Sequence, residues 1–198
     1  MDDVKAEIAQ VSARLIAEEG LAYGAAKQRA VHQLGLPARS ALPTNDQVEE
    51  ALEAYLALFC ADTQPGELRA LRALALEWMQ RLSGFNPQLS GAVWRGTATR
   101  LSDIHIQLYG DDPKAAELAL LDQRVRYEVH GQRDAKGHAY DILSVQALCR
   151  PLDEYVGVHL AVHDRNDRFG SLVPDARGRK PQGGIEAVRQ LLEESEHG

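Results

Sequence analysis

The chain has 198 residues, 44% of them hydrophobic, and a formal net charge of −7. That is enough apolar material for one substantial core, or for a small helical domain beside a small α/β domain. Charge is spread evenly, with 8 basic against 12 acidic residues over 1–85 and 14 against 17 over 86–198, so neither half presents a general nucleic-acid-binding surface.

Residues 1–85 read as helices throughout. Val4, Ile8, Val11 and Leu15 recur at helical spacing and Gly20 ends the run. A second helix from about Ala25 to Leu34 stops at Gly35, with Pro37 just beyond. Two short helices around Gly20 and Gly24 also permit a helix-turn-helix reading that displays Lys27, Gln28, Arg29 and His32, although the acidic half offers no basic flank. Thr44-x-x-Gln47 is a capping-box pattern opening a third helix with Val48, Leu52, Tyr55, Leu56 and Phe59 on one side. After Asp62-Thr-Gln-Pro-Gly66, a fourth helix points Leu68, Leu71, Ala75, Trp78, Met79 and Leu82 inward. It carries too much apolar surface to stand free, which predicts that Trp78, Met79 and Leu82 pack near Ile104 and Ile106.

From Pro87 the pattern changes to strands with helices between them. Gly91 to Trp94 and Asp103 to Tyr109 read as the first two strands. In the second, Ile104, Ile106 and Leu108 point one way, while Asp103, His105, Gln107 and Tyr109 are displayed on the other. Asp112-Pro113 reads as the cap and first position of a helix reaching about Gln123. Val125 to His130 and about His138 to Val145 form a hairpin-like pair around Gly131 to Gly137. Val156 to His163 is the last clear strand, and Gly184 to Glu194 closes the chain as a helix. The fold class is therefore α+β: a helical region over 1–85 packed on a mixed β-sheet domain with flanking helices over 86–198.

Cys60 and Cys149 lie far apart with no finger-like spacing and are expected to be free thiols. The first residues are acidic, and no apolar run approaches the roughly 20 residues a membrane span needs. A cytoplasmic protein without a membrane partner is the expectation.

The stretch Leu89 to Tyr109 resembles the signature of the nucleotidyltransferase superfamily related to DNA polymerase beta. That signature is a Gly-Ser pair at a turn, about ten residues, then Asp-x-Asp on a strand. Here Gly91-Ala92 stands at the pair, Val93 to Ser102 fill the interval, and Asp103-Ile104-His105 follows. Gly96, Ser102, Ile104 and Ile106 also match small bacterial members. Ala92 replaces the serine and His105 replaces the second carboxylate. The resemblance implies a palm-like mixed sheet, a nucleoside triphosphate as substrate, and transfer of a nucleoside monophosphate to an acceptor that the sequence does not name.

The chemistry falls on few residues. Nucleotidyl transfer uses carboxylates that hold Mg²⁺, a hard cation that prefers oxygen. Asp103 is placed for that role, whereas the imidazole of His105 suits a transition ion such as Mn²⁺ better. A third metal ligand should come from a neighbouring strand: His159 shares the displayed face of Val156 to His163, with Asp164 and Asp141 as substitutes. Gly91, Ala92, Gly96, Thr97, Ala98, Arg100 and Ser102 are the expected phosphate-side residues, because small side chains let backbone N–H groups approach a triphosphate and Arg95 and Arg100 add charge. Gly183-Gly184 beside Arg179 and Lys180 offers a second anion site, within a locally basic stretch that includes Arg165, Arg168 and Arg177. No P-loop, dinucleotide-binding, HExxH or GxSxG motif occurs. Three functions remain: a metal-assisted nucleotidyltransferase acting through Asp103 and His105, a catalytically degenerate descendant serving as a binding or partner module, and a helix-turn-helix regulator.

Overall fold

A computed structural model describes residues 2–167, 173–175 and 177–197, with Asp2, Glu196 and His197 described as backbone only. Arg168, part of the basic stretch, lies outside the described residues. The fold is α+β, and the chain divides into two compact units, Met1–Gly66 with Thr99–Leu101, and Glu67–Ala98 with Ser102–Gly198. Among the described residues no helix is long and apolar enough to cross a membrane.

The first unit is helical. Helix α1 (Asp2–Glu19) packs Ile8 and Leu15 against Ala26, Ala30 and Val31 of α2 (Tyr23–Gln33). Its Ala13 meets Leu52 and Leu56 of α3 (Asn45–Phe59). The capping box is present: the Thr44 hydroxyl accepts from the Gln47 backbone, and the Gln47 side chain accepts from that of Thr44. Phe59 departs from the expected inward stripe and is 66% exposed, whereas Leu52, Tyr55 and Leu56 pack on the α1 side of the helix. On the surface suggested for DNA, Lys27 donates to the Pro43 carbonyl and to Asn45, and Arg29 pairs with Glu19 at 2.7 Å. A hydrogen bond to Glu18 pushes the Tyr55 phenol up to about 12.

The second unit is built on a six-stranded sheet. Its strands are β1 (Gln88–Ser90), β2 (Ile104–Gly110), β3 (Glu128–Arg133), β4 (Ala139–Cys149), β5 (Glu154–Asp164) and β6 (Gln182–Gly183). The order is β3-β4-β5-β2-β1-β6, with β2 and β5 parallel and every other pair antiparallel. Period-two alternation turns Ile104, Ile106 and Leu108 of β2, Val156, Val158, Leu160 and Val162 of β5, and Leu143, Val145 and Ala147 of β4 into one core. Helices α4 (Gln64–Arg81), α6 (Ala115–Asp122) and α7 (Ile185–His197) supply Leu71, Trp78, Met79, Ala116, Leu120 and Val188 to it, and Leu82, just past α4, joins them. Trp78 and Met79 thus join Ile104 and Ile106 in the core, as the fourth helix's pattern implies, and α4 from Glu67 onward belongs to the sheet's unit. Both cysteines are free thiols.

Three local readings need correction. Gly91 to Trp94 is no strand: β1 ends at Ser90, and Gly91–Arg95 form a short helix, α5, because Gly91 at φ +70° breaks the extended run. Tyr109 lies on the displayed side but is only 2% exposed, covered by the His163 ring and bonded to Gln182. Helix α6 starts at Ala115, since the Asp112 carboxylate accepts from Lys114 N and holds a turn ahead of the helix.

Trp78 is 3% exposed within this core. Trp78→Ala should cost about 3–5 kcal/mol, read from the urea unfolding midpoint; a loss below roughly 1 kcal/mol would show that the ring fills no close-packed space.

Candidate functional site

The turn that leads into the site is fixed from below. The Arg72 side chain on α4 is 9% exposed, and its Nε and Nη2 donate to the carbonyls of Val93 and Trp94 at 3.0 and 3.1 Å. Gly96, at φ +95°, closes α5: its N–H and that of Thr97 both reach the Ala92 carbonyl, at 2.9 and 3.0 Å. Trp94, placed by this turn, donates its indole N–H to the Lys180 carbonyl at 2.8 Å and lays its ring over Gly183, where any Cβ would collide with it.

Asp103 sits immediately before β2, and its carboxylate lies across β5. Oδ1 accepts from the Gly157 N–H at 3.2 Å and Oδ2 meets His159 Nε2 at 2.9 Å. Position 157 must be glycine for this, because a Cβ there would stand 2.8 Å from the carboxylate. The other ring nitrogen of His159, Nδ1, lies 2.9 Å from the Ser144 hydroxyl on β4. His105 stacks on His159 with centroids 5.0 Å apart. The register explains the cluster, since His105 and Ser144 both stand directly opposite His159, one on each neighbouring strand. The bond from His159 holds the Asp103 carboxyl below the usual carboxylate range, against some desolvation. Desolvation in crowded surroundings, with His159 beside it, lowers the His105 imidazole.

Further along the same face is a second polar row. His163 stacks between Tyr109 and Tyr140, with centroids at 5.4 and 4.8 Å. Its Nε2 meets Gln107 Oε1 at 2.7 Å, Gln107 donates to the Ser90 hydroxyl at 3.0 Å, and Ser90 donates to the His105 carbonyl at 3.3 Å. This chain joins β5, β2 and β1 and ends one residue before Gly91.

Of the residues singled out from sequence, Asp103, His105 and His159 are brought together on one face, and Gly91 lies against the His105 ring, with Cδ2 3.5 Å from where its Cβ would stand. Ala92 and Ser102 are half-buried, while Thr97 and Ala98 are buried. Arg100 falls in the Thr99–Leu101 segment that clusters with the first unit. Asp164 and Asp141 lie toward the opposite end of β5: Asp164 pairs in register with Gly110 and Asp141 with Val162, so neither substitutes for His159. At Gly183 the Trp94 ring covers the backbone where the second anion site was expected, and Arg179 is paired with Asp175 at 2.8 Å.

Sequence reasoning missed Ser144, Gly157 and Arg72. Ser144 was legible as the polar residue alternating with Leu143 and Val145, and Gly157 as an isolated strand glycine, which signals a close approach.

The donor set does not fit a divalent ion as arranged. Both Asp103 oxygens and both His159 nitrogens already have partners, and among the described residues no three His, Cys, Asp or Glu side chains are grouped to hold a metal. No protein-family model matches the chain, and comparison with curated proteins finds no match.

The Asp103 shift gives a signed test. A carboxyl depressed in the folded state contributes stability that is present above about pH 4 and lost as pH falls through its folded value. His159→Ala removes the largest cause of the shift. Thermal melts from about pH 6 to about pH 3 should therefore show a shallower acid decline in the variant than in the wild type, and an equal decline would deny the bond its effect.

Proposed function

We propose that the second unit is a nucleotidyltransferase-like domain that binds a nucleoside triphosphate and has a degenerate metal set. The observation that supports this best is the succession β1, the left-handed Gly91, the single-turn α5, and Asp103 at the threshold of β2 beside His105. In this reading the phosphates lie along Gly91, Ala92, Gly96 and Ser102, where small side chains leave the backbone approachable, and the reacting end faces Asp103 and His105. A divalent ion on Asp103, His105 and His159 requires that His159 exchange one of its two ring-nitrogen bonds, to Asp103 or to Ser144, for a metal bond. Imidazole nitrogen in two of three places favours a transition ion such as Mn²⁺ over Mg²⁺.

The catalytically degenerate reading is favoured over an active magnesium enzyme by one specific feature. Asp103 is occupied by Gly157 and His159 where an active site would leave a carboxylate open to metal.

Thermal melts with each of the four nucleoside triphosphates, with and without Mg²⁺ or Mn²⁺, test the binding. A rise with at least one triphosphate that Asp103→Asn diminishes is expected; no shift with any of them sinks the reading. With α-phosphate-labelled triphosphate and Mg²⁺ the wild type should transfer little or no label, and the double variant Ala92→Ser, His105→Asp should transfer more. Robust wild-type transfer with Mg²⁺ would contradict the degenerate metal set.

A further inference from the structure

We propose that Ser144, His159 and Asp103 form a nucleophilic triad, in which the Ser144 hydroxyl attacks the phosphorus of a phosphoric ester or anhydride. This goes beyond nucleotide binding and does not rest on it, because Ser144 has no part in that reading and the three residues are joined by their own hydrogen bonds.

Donor arithmetic carries the assignment. Asp103 Oδ2 is a carboxylate oxygen and can only accept, so His159 Nε2, 2.9 Å away, carries the proton and donates. In the neutral ring that leaves Nδ1 as a lone pair, and the Ser144 hydroxyl, 2.9 Å from it, must be the donor. The serine proton is thereby directed at a base whose tautomer is fixed by a third group, which is the signature of an activated nucleophile. A plain serine–histidine cross-strand pair needs no carboxylate. Here the carboxylate arrives from outside β2, over a glycine whose missing side chain makes the room.

The triad is reachable. His159 and Asp103 side chains are 25% and 50% exposed, and Ser144 is half-buried on the sheet face opposite the core. An anionic electrophile is favoured by the Arg95 charge, which is close enough to act on His105, the imidazole stacked on His159. In the step, the bond from Ser144 Oγ to phosphorus forms and the bond from phosphorus to the leaving oxygen breaks. The hydroxyl proton passes to His159 Nδ1, which then delivers it to the leaving oxygen. Water, deprotonated by the same nitrogen, then bonds to phosphorus as the bond from phosphorus to Ser144 Oγ breaks, and His159 returns the proton to Oγ as the phosphate leaves. Ser144 and His159 are the reacting residues, and Asp103 is a positioning residue.

Diisopropyl fluorophosphate is the probe: Ser144 Oγ displaces fluoride, and the hydroxyl proton leaves with it. Wild-type protein should gain a single adduct that peptide mass spectrometry places on Ser144. Urea-unfolded wild type and folded Ser144→Ala should remain unlabelled, and His159→Gln should label about a hundredfold more slowly. No adduct on the wild type, an adduct on another residue, or equal rates in wild type and His159→Gln overturns the triad. A second measurement needs no variant at His159: the ring ¹⁵N shifts of the wild type should report the Nε2–H tautomer, and Asp103→Asn should shift the balance toward Nδ1–H. An Nδ1–H tautomer in the wild type, or one unmoved by Asp103→Asn, overturns it equally.

Discussion

A buried guanidinium holds the open face of the second unit in place. Arg72 stands on α4 among core residues, and burial pushes it below its usual pKa, yet a guanidinium stays charged across the physiological range. A charge so placed must be answered, and the answer is the pair of carbonyls at the end of α5. A one-turn helix has almost no cooperative stability of its own. Tied to α4, α5 becomes part of the core's geometry, and with it Trp94, which covers Gly183, and Gly91, which abuts His105. Replacing Arg72 with an apolar residue would leave two carbonyls without their donor, a penalty of about 1–3 kcal/mol each when buried. The damage would fall first on the turn rather than on the strands.

The second determinant is register. Strand β5 lies between β2, parallel to it, and β4, antiparallel to it, and His159 faces His105 on one side and Ser144 on the other. A slip of β5 by one residue would send His159 into the core and bring Val158 and Leu160 to the displayed face, so the buried aliphatics specify the place of His159 as firmly as they specify themselves. The row of His163, Gln107 and Ser90 adds a hydrogen-bonded cross-tie over β5, β2 and β1. The polar face is thus one connected surface and not a scatter of solvated side chains.

Strand alternation made much of this legible. The aliphatics of β2 and β5 announced which side His105 and His159 would share, and the apolar stripe of α4 announced its place in the core. The short helix at Gly91 was hidden because Val93 and Trp94 read as strand residues; what overrides them is the left-handed Gly91 and a tertiary donor, Arg72, from 21 residues upstream. Tyr109 was misjudged because alternation assigns a face and says nothing of what covers it, here the His163 ring and Gln182. Ser144 carried no motif at all. Its partner is 15 residues away across a strand pairing that periodicity alone does not determine.

An imidazole and not a carboxylate at position 105 sets what the cluster requires. Two neighbouring carboxylates repel unless a shared proton or a cation relieves them, which is why such pairs attract divalent metals. One carboxylate between two imidazoles has no such demand. Asp103 is satisfied by Gly157 and by a proton on His159, and His159 by the serine beyond it. The depressed pKa of Asp103 has the same meaning, since the ionised form is held by internal donors. A cluster that supplies its own donors gains little from binding a metal and must give up a good hydrogen bond at His159 to do so. It does, however, leave one group chemically poised, the hydroxyl at the end of the series, whose proton already points at a base.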